Sequence, residues 1–300
     1  MRSKDYLEDF SSVRVIFYND YVITDAILYR SISVSFGFLL RFMIMNHMYI
    51  SIVSHGNDDD IIDNFNLKEI NSLSNVTVII RDNLSSQRLS EYCSTHGFEY
   101  NSSDLCLGFG SNNNINFKVS RDLGMSHNDW FVVCNPDLNI SESMINNLLS
   151  RVNSQSGKIY SINLFFDKEF SVMEYSLRKF PTFLSFFNVL KGRSFTDSYE
   201  KAELQDGSIV DWAAGSFLVF NADLYENLGG FDEKYFMYFE DVDICYRAKK
   251  IFFQDVVYLR NVVAIHQGGY KNRNIFSQHF RWYFISLFRF LFKSTFGLMK

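Results

Sequence analysis

Only two of the 300 residues are proline, so no proline-rich linker or hinge separates domains. The cysteines Cys93, Cys106, Cys134 and Cys245 are far apart and make no CxxC pair. They therefore form neither a zinc site nor a disulfide framework, and a reducing cytoplasm is the expected compartment. The longest apolar runs, 36–45 and 282–292, are broken by Arg41 and Arg289 and fall short of the roughly 18–20 residues of a membrane-spanning helix. Residues 1–10 are charged and lack the apolar stretch of a signal peptide. The sequence contains no GKS or GKT phosphate loop, no GxSxG elbow and no HExxH helix, and the glycine pair at 108–110 fails the dinucleotide pattern at Asn113, which argues against hydride transfer. Acidic residues stop at Asp255: beyond it Arg260, Lys271, Arg273, Arg281, Arg289, Lys293 and Lys300 supply +7, leaving 22 basic against 34 acidic residues before it, a balance of −12. The net charge of −5 also argues against general affinity for nucleic acid, whose phosphates need surplus Lys and Arg.

What is present points to a folded α/β chain. A hydrophobic share of 47% against 21% charged residues supports a substantial core, and 17% aromatic residues is a marked excess. Residues 49–53 (YISIV), 76–80 (VTVII) and 130–134 (WFVVC) read as buried strands, each running into a polar loop: SHGN, RDN and NPD. Asp58, Asp59 and Asp60 are placed to start a helix, a second helix is expected over 86–95, and Ser141 is placed to open another. Residues 108–114 read as a loop ahead of a helix running to Arg121. Residues 210–220 read as a strand around the small-residue turn 213–216, and 235–250 as a helix with carboxylates in its first half. Alternating strands and helices predict an open sheet that binds its ligand at the carboxyl ends of the strands.

Three positions carry candidate chemistry. Asp137 follows a buried strand beside the stiff Pro136, where a carboxylate suits a hard cation bridging phosphates; ordinary turn chemistry is the competing explanation. Glu240, Asp241 and Asp243 crowd three charges into four residues, which demands solvation, a nearby cation or partial protonation. Asp241 and Asp243 form a DxD string, but positions i and i+2 of a helix point about 200° apart, so one ion cannot easily take both. Asp241 is therefore assigned as general base and Asp137 as metal ligand. His266, after the strand at 262–265, is a ligand, a phosphate contact or a structural residue.

Together the strings YISIVSHGN, VIIRDN, LGFGSNNN, FVVCNPD, VDWAAGSF, GGFDEKYFMYFEDVDICYR and AIHQGG, over roughly residues 49–282, resemble the inverting family 2 glycosyltransferases of the GT-A fold. YSLRKFP and the late FRW resemble the bacterial O-antigen rhamnosyltransferases that act on N-acetylglucosaminyl-diphosphoundecaprenol. The resemblance implies an open, mixed, mostly parallel sheet flanked by helices and a Mg²⁺ or Mn²⁺ cofactor. It implies a nucleotide-sugar donor such as dTDP-L-rhamnose and a polyprenyl-diphosphate-linked N-acetylglucosamine acceptor at the inner face of the plasma membrane. Ser54, Asp82 and Asn83 would line the nucleotide pocket, and the segment from Gly108 through Asn113 to Asn114 would close over it. Asp137 matches the second carboxylate of the family's DxD with Asn135 in the first position, and His266 would help hold the diphosphate and metal. Asp241 would deprotonate the acceptor with Glu240 beside it, and Trp212 with the 213–216 turn would border the acceptor. Another donor sugar, or a catalytically silent scaffold subunit, stays open at this stage.

The resemblance divides the chain into a 1–47 extension, a 48–270 transferase domain and a 271–300 tail. The extension is either an extra element or sequence upstream of a start at Met43, Met45 or Met48. In the tail Phe280, Tyr283, Phe284, Leu287, Phe288, Leu291 and Phe292 share one helical face, with Arg281, Arg289 and Lys293 at or beyond its edge. Such a helix either docks on the core or lies on anionic lipid, where each basic residue contributes about 1 kcal/mol.

Overall fold

The computed structural model describes residues 9–10, 13–14, 46–103, 105–183, 185, 196–268 and 277–298. The chain forms two compact units, Met1–Met45 and Asn46–Lys300. In the first, β1 (Asp9–Phe10) and β2 (Val13–Arg14) make an antiparallel pair, and the rest of the expected extension up to Met45 lies outside the described residues, as does most of the aromatic stretch 184–195.

The second unit opens with β3 (Met48–Ser54), whose apolar residues are covered on both faces, as a strand inside a parallel sheet requires. Short helices α1 (Asp58–Ile62) and α2 (Phe65–Asn71) lead to β4 (Val76–Asp82). The Ser86 hydroxyl accepts the Leu89 N–H and so starts α3 (Gln87–His96), which ends at the left-handed Gly97 before β5 (Glu99–Ser102). Next come α4 (Phe109–Asp122), β6 (Trp130–Cys134), β7 (Leu138–Asn139), the Ser141-capped α5 (Glu142–Ser154) and β8 (Ile159–Phe165). They are followed by β9 (Leu177–Arg178), β10 (Ile209–Val210), β11 (Trp212–Ala213), β12 (Phe217–Asn221) and α6 (Ala222–Asn227). The unit closes with α7 (Glu240–Ile251), β13 (Val256–His266) and α8 (Gln278–Thr295).

Nine strands form one sheet in the order β10-β13-β8-β12-β6-β3-β4-β5, with β7 also on β13. The pairs among β3, β4, β5 and β6 are parallel, as is β8 with β13, while β12 runs antiparallel between β6 and β8. This is the expected open, mixed, mostly parallel sheet. One face packs α1, α2, α3 and α5 through residues such as Ile61, Ile70, Leu89 and Leu148. The other packs α4, α6, α7 and α8 through Phe117, Tyr225, Val242 and Phe290. Part of the aromatic excess lies in this second layer, where the Tyr225 ring centroid is 4.6 Å from that of Phe117, 4.9 Å from Phe131 and 5.8 Å from Phe231.

Three readings are corrected. Residues 109–114 are helix, not loop, because Asn112 and Asn113, which could weaken a helix by bonding their own backbone, here accept from Arg81 and Ser51 on neighbouring strands. The helix read over 235–250 starts only at Glu240, since Tyr238 and Phe239 both take left-handed backbone angles (φ 69° and 67°) that stop it extending backwards. Strands β5 and β8 gave no readable signal. In α8 the inward residues are Tyr283, Ser286, Leu287, Phe290 and Leu291, whereas Phe284, Phe288 and Phe292 are exposed. The single apolar face of the sequence is thus divided between core and surface.

Candidate active site

The ends of β3, β4, β6 and β13 converge on one rim. Ser54 and Asp82 are register partners, both fully buried. Asp82 accepts the Leu84 and Ser86 N–H groups at 2.9 and 2.6 Å and the Tyr100 hydroxyl at 3.0 Å. The carboxylate therefore fixes the turn after β4. Asn83 clamps Leu107, accepting its N–H at 3.2 Å and donating to its carbonyl at 3.0 Å. Gly108 then lets α4 approach the 236–239 segment: a Cβ there would lie 2.3 Å from the Phe236 carbonyl oxygen, which also accepts the Phe109 N–H at 3.0 Å. Within α4, Asn113 accepts the Ser51 hydroxyl at 2.7 Å, and Asn116 donates to that same hydroxyl at 2.9 Å. Asn113 is completely buried, which makes it a tie between helix and sheet.

A second group forms where β6 ends beside β13. His266 Nε2 lies 3.2 Å from Asp137 Oδ1 and 3.2 Å from the Asn135 side-chain nitrogen. Its Nδ1 lies 3.0 Å from Glu174 Oε2. Burial opposes a charge on this imidazole, but the hydrogen bonds to Asp137 and Glu174 prevail and raise its pKa to about 9. Burial likewise pushes the Asp137 carboxyl upward, yet His266 outweighs it and holds the group below the usual carboxylate range. Glu174 is the residue that sequence reasoning missed. It stands 92 positions from His266, in an irregular segment whose backbone bonds the end of β8, and no spacing rule connects the two.

These residues fit a divalent cation. Neighbouring ligands of a six-coordinate ion with bonds of about 2.1 Å stand about 3 Å apart, close to the separations around Nε2. Asp137 and His266 would supply two donors, with Asn135 a third once its amide turns its oxygen inward. Glu174 on the far ring nitrogen is the carboxylate partner that metal-binding histidines commonly have. Among the described residues no group of three His, Cys, Asp or Glu side chains could hold a metal, so diphosphate oxygens and water would have to complete the shell.

The three carboxylates of α7 have three different environments. Asp243 is fully buried, 2.7 Å from both Arg247 Nε and Lys293 Nζ, and takes the Tyr235 hydroxyl at 3.2 Å. It is structural and points away from Asp241, as helix geometry requires. Glu240 is buried with its Oε2 unpartnered. Burial first, then the charge of Asp241, raises its pKa well above the ordinary value. Asp241 is only partly covered; burial raises its pKa, countered by the Gly215 N–H at 3.0 Å, the Val242 N–H at 2.8 Å and the charge of Arg178. Trp212 is buried, and its indole N–H donates to the Lys179 carbonyl at 2.9 Å, beside the pairing of β11 with β9.

The backbone joins the two groups. The Gly215 N–H holds Asp241, and the carbonyl of the following residue, Ser216, accepts the Asn135 N–H at 2.9 Å. The Ser176 and Ser216 hydroxyls are buried without hydrogen-bond partners.

Residues 168–284 match the model of the glycosyltransferase-like family 2. Over 250 residues, 81% of this chain and 92% of the relative, the sequence is 33% identical to the rhamnosyltransferase WbbL of Escherichia coli K12. The chain belongs to glycosyltransferase family 2. It is also 26% identical to the low-salt glycan biosynthesis hexosyltransferase Agl10 of Haloferax volcanii, over 69% of this chain and 62% of that one. A Mycobacterium tuberculosis N-acetylglucosaminyl-diphospho-decaprenol L-rhamnosyltransferase is 29% identical, over 48% of each chain. The fold is similar to that of the mannosyltransferase PcManGT from Pyrobaculum calidifontis, solved with GDP-Man and Mn²⁺ (TM-score 0.52, 14% identity, 81% of this chain and 64% of that one). It is similar too to GalNAc-T7, solved with UDP, GalNAc and Mn²⁺ (TM-score 0.54, 10% identity, 81% and 47%). The chain is a glycosyltransferase of the GT-A type, and three strings of its sequence supply the residues described above: FVVCNPD carries Asn135 and Asp137, FEDVD carries Glu240 and Asp241, and AIHQGG carries His266.

Proposed function

We propose that the chain transfers L-rhamnose, with inversion, from dTDP-L-rhamnose to N-acetylglucosamine carried on a polyprenyl diphosphate, at the inner face of the plasma membrane. The backbone bridge at Gly215 and Ser216 carries the mechanistic reading, because it ties the candidate base to the candidate diphosphate-binding group. The similarity to WbbL supports the sugar, and that to the mycobacterial transferase supports the acceptor. The nucleotide lies over the rim of β3 and β4, with Ser54, Asp82 and Asn83 shaping its seat and the start of α4 from Gly108 to Asn113 bounding it.

Inversion needs a single displacement, hence one base and no protein nucleophile. The acceptor hydroxyl attacks the anomeric carbon while its proton passes to the Asp241 carboxylate, and the bond to the nucleoside diphosphate breaks with its electron pair on the leaving oxygen. Gly215 and Val242 aim the carboxylate. Glu240 is buried beside it, and that burial favours its neutral form. Asp137, His266 and Asn135 would hold Mg²⁺ or Mn²⁺, which supplies countercharge to the departing diphosphate. The test is incubation with dTDP-L-rhamnose, divalent metal and a synthetic lipid-diphosphate N-acetylglucosamine, followed by NMR of the product. A rhamnosyl disaccharide of inverted anomeric configuration is expected; turnover of a different nucleotide sugar in its place overturns the donor assignment.

A further inference from the structure

The outer side of α8 is unusual for a helix that also packs on a core. Phe284, Ile285, Phe288 and Phe292 are between 40% and 62% exposed, as are Phe296 and Leu298 just beyond the helix. Their rings run along the helix: centroids are 5.5 Å apart for Phe280 and Phe284, 5.1 Å for Phe284 and Phe288, and 4.6 Å for Phe292 and Phe296. A groove of about 650 Å³ opens between this row and Phe183 on another segment, with Arg289 and Lys293 at its edge. A contiguous apolar surface of this kind marks a docking face.

Charge selects the occupant. No acidic residue occurs after Asp255, and Arg281 stands exposed beside the row. Lys293 is neutralised inside the fold by Asp232 and Asp243 at 2.8 and 2.7 Å, so the outward cations of the helix are Arg281 and, partly covered over the Tyr235 ring, Arg289. In a two-fold contact with a second copy this rim would meet itself, positive against positive, with no acid on the helix to pair. A bilayer of anionic lipid offers the opposite match: aromatic rings at the headgroup boundary and phosphates for the arginines. Among the described residues no helix is long and apolar enough to cross a membrane, so the arrangement is one that lies on the surface. Tyr283, one residue before Phe284, has its ring centroid 5.3 Å from that of Phe239, two residues before Asp241.

We infer that the Phe284–Phe288–Phe292 row of α8 docks the protein on anionic membrane, bringing the Asp241 end of α7 toward the lipid surface. Its purpose rests on the lipid-linked acceptor proposed above; its test does not. The full chain is sedimented with phosphatidylethanolamine–phosphatidylglycerol vesicles and with phosphatidylcholine vesicles, beside the triple variant F284S/F288S/F292S and a control, F65S/L105S/F253S, that removes exposed rings and a leucine elsewhere. Circular dichroism checks that each variant is folded. The wild type and the control are expected to bind the anionic vesicles at least about tenfold better than the triple variant. Brominated lipid should quench Trp282 on α8 in the wild type, a reading that needs no variant. Equal binding by the triple variant, no binding by the wild type, or a wild-type dimer that the triple variant dissolves in the absence of lipid overturns the docking face. The predicted binding without transfer to any acceptor supports the docking face and overturns only the transferase assignment.

Discussion

The two sides of the cleft use polar residues in opposite ways. Around α4, each side-chain polar atom of Asp82, Asn83, Asn112, Asn113, Asn114 and Asn116 finds a partner within the chain. Around Asp241, by contrast, Glu240 Oε2 and the Ser176 and Ser216 hydroxyls are buried and unpartnered, and Asp241 itself is partly open. Completed hydrogen bonds fix shape, whereas open ones are available for ligand and reaction. The difference sorts residues that look alike in sequence into architecture and chemistry.

The comparison can be broken where it predicts the largest effect. Asp241→Asn should lower kcat by about 10²–10⁴-fold, the usual contribution of a positioned base, with nucleotide affinity retained in a calorimetric titration. Near-wild-type turnover would remove Asp241 from the role. Because burial raises its pKa, and a base must be ionised, the wild-type rate should fall with acidity on a limb lying above the usual aspartate range. Glu174→Gln should weaken Mn²⁺ binding, read by electron paramagnetic resonance, by about 10–100-fold while leaving the melting temperature nearly unchanged. Unaltered Mn²⁺ affinity would make Glu174 a structural partner of His266 alone. On the architectural side, Asn116→Ala strips partners from buried Ser51 and from Asn101 and should cost about 1–3 kcal/mol in denaturant unfolding, with kcat unchanged well below the transition. A large loss of kcat without loss of stability would erase the distinction between the two sides.

Much of this was readable from local signals. The strands ending at Ser54, Asp82 and Cys134 announce themselves as β-branched runs stopped by polar turns, and Ser86 and Ser141 cap helices as their side chains dictate. The separation of Asp241 from Asp243 followed from helix periodicity alone. What escaped depended on partners distant in the chain. The helix through Asn112 and Asn113 forms because Arg81 and Ser51 satisfy amides that would otherwise favour a loop. Glu174 matters only because β8 and β13 run side by side, and Lys293 reads as a surface charge until Asp232 and Asp243 close on it.

The bridge at Gly215 and Ser216 has a consequence for how this enzyme could acquire new substrates. Peptide groups are planar and resist twisting by about 18–20 kcal/mol, and the planes of the Gly215 N–H and the Ser216 carbonyl are separated by a single peptide, so the two anchors can move apart no further than two residues of backbone reach, about 7 Å. The separation between the proposed base and the proposed diphosphate-binding group is therefore bounded by covalent geometry, like the jaws of a gauge with a stop. Changing the sugars that fit would then fall to side chains along the walls, and a swap at those positions could retune selectivity while the reacting distance stayed the same.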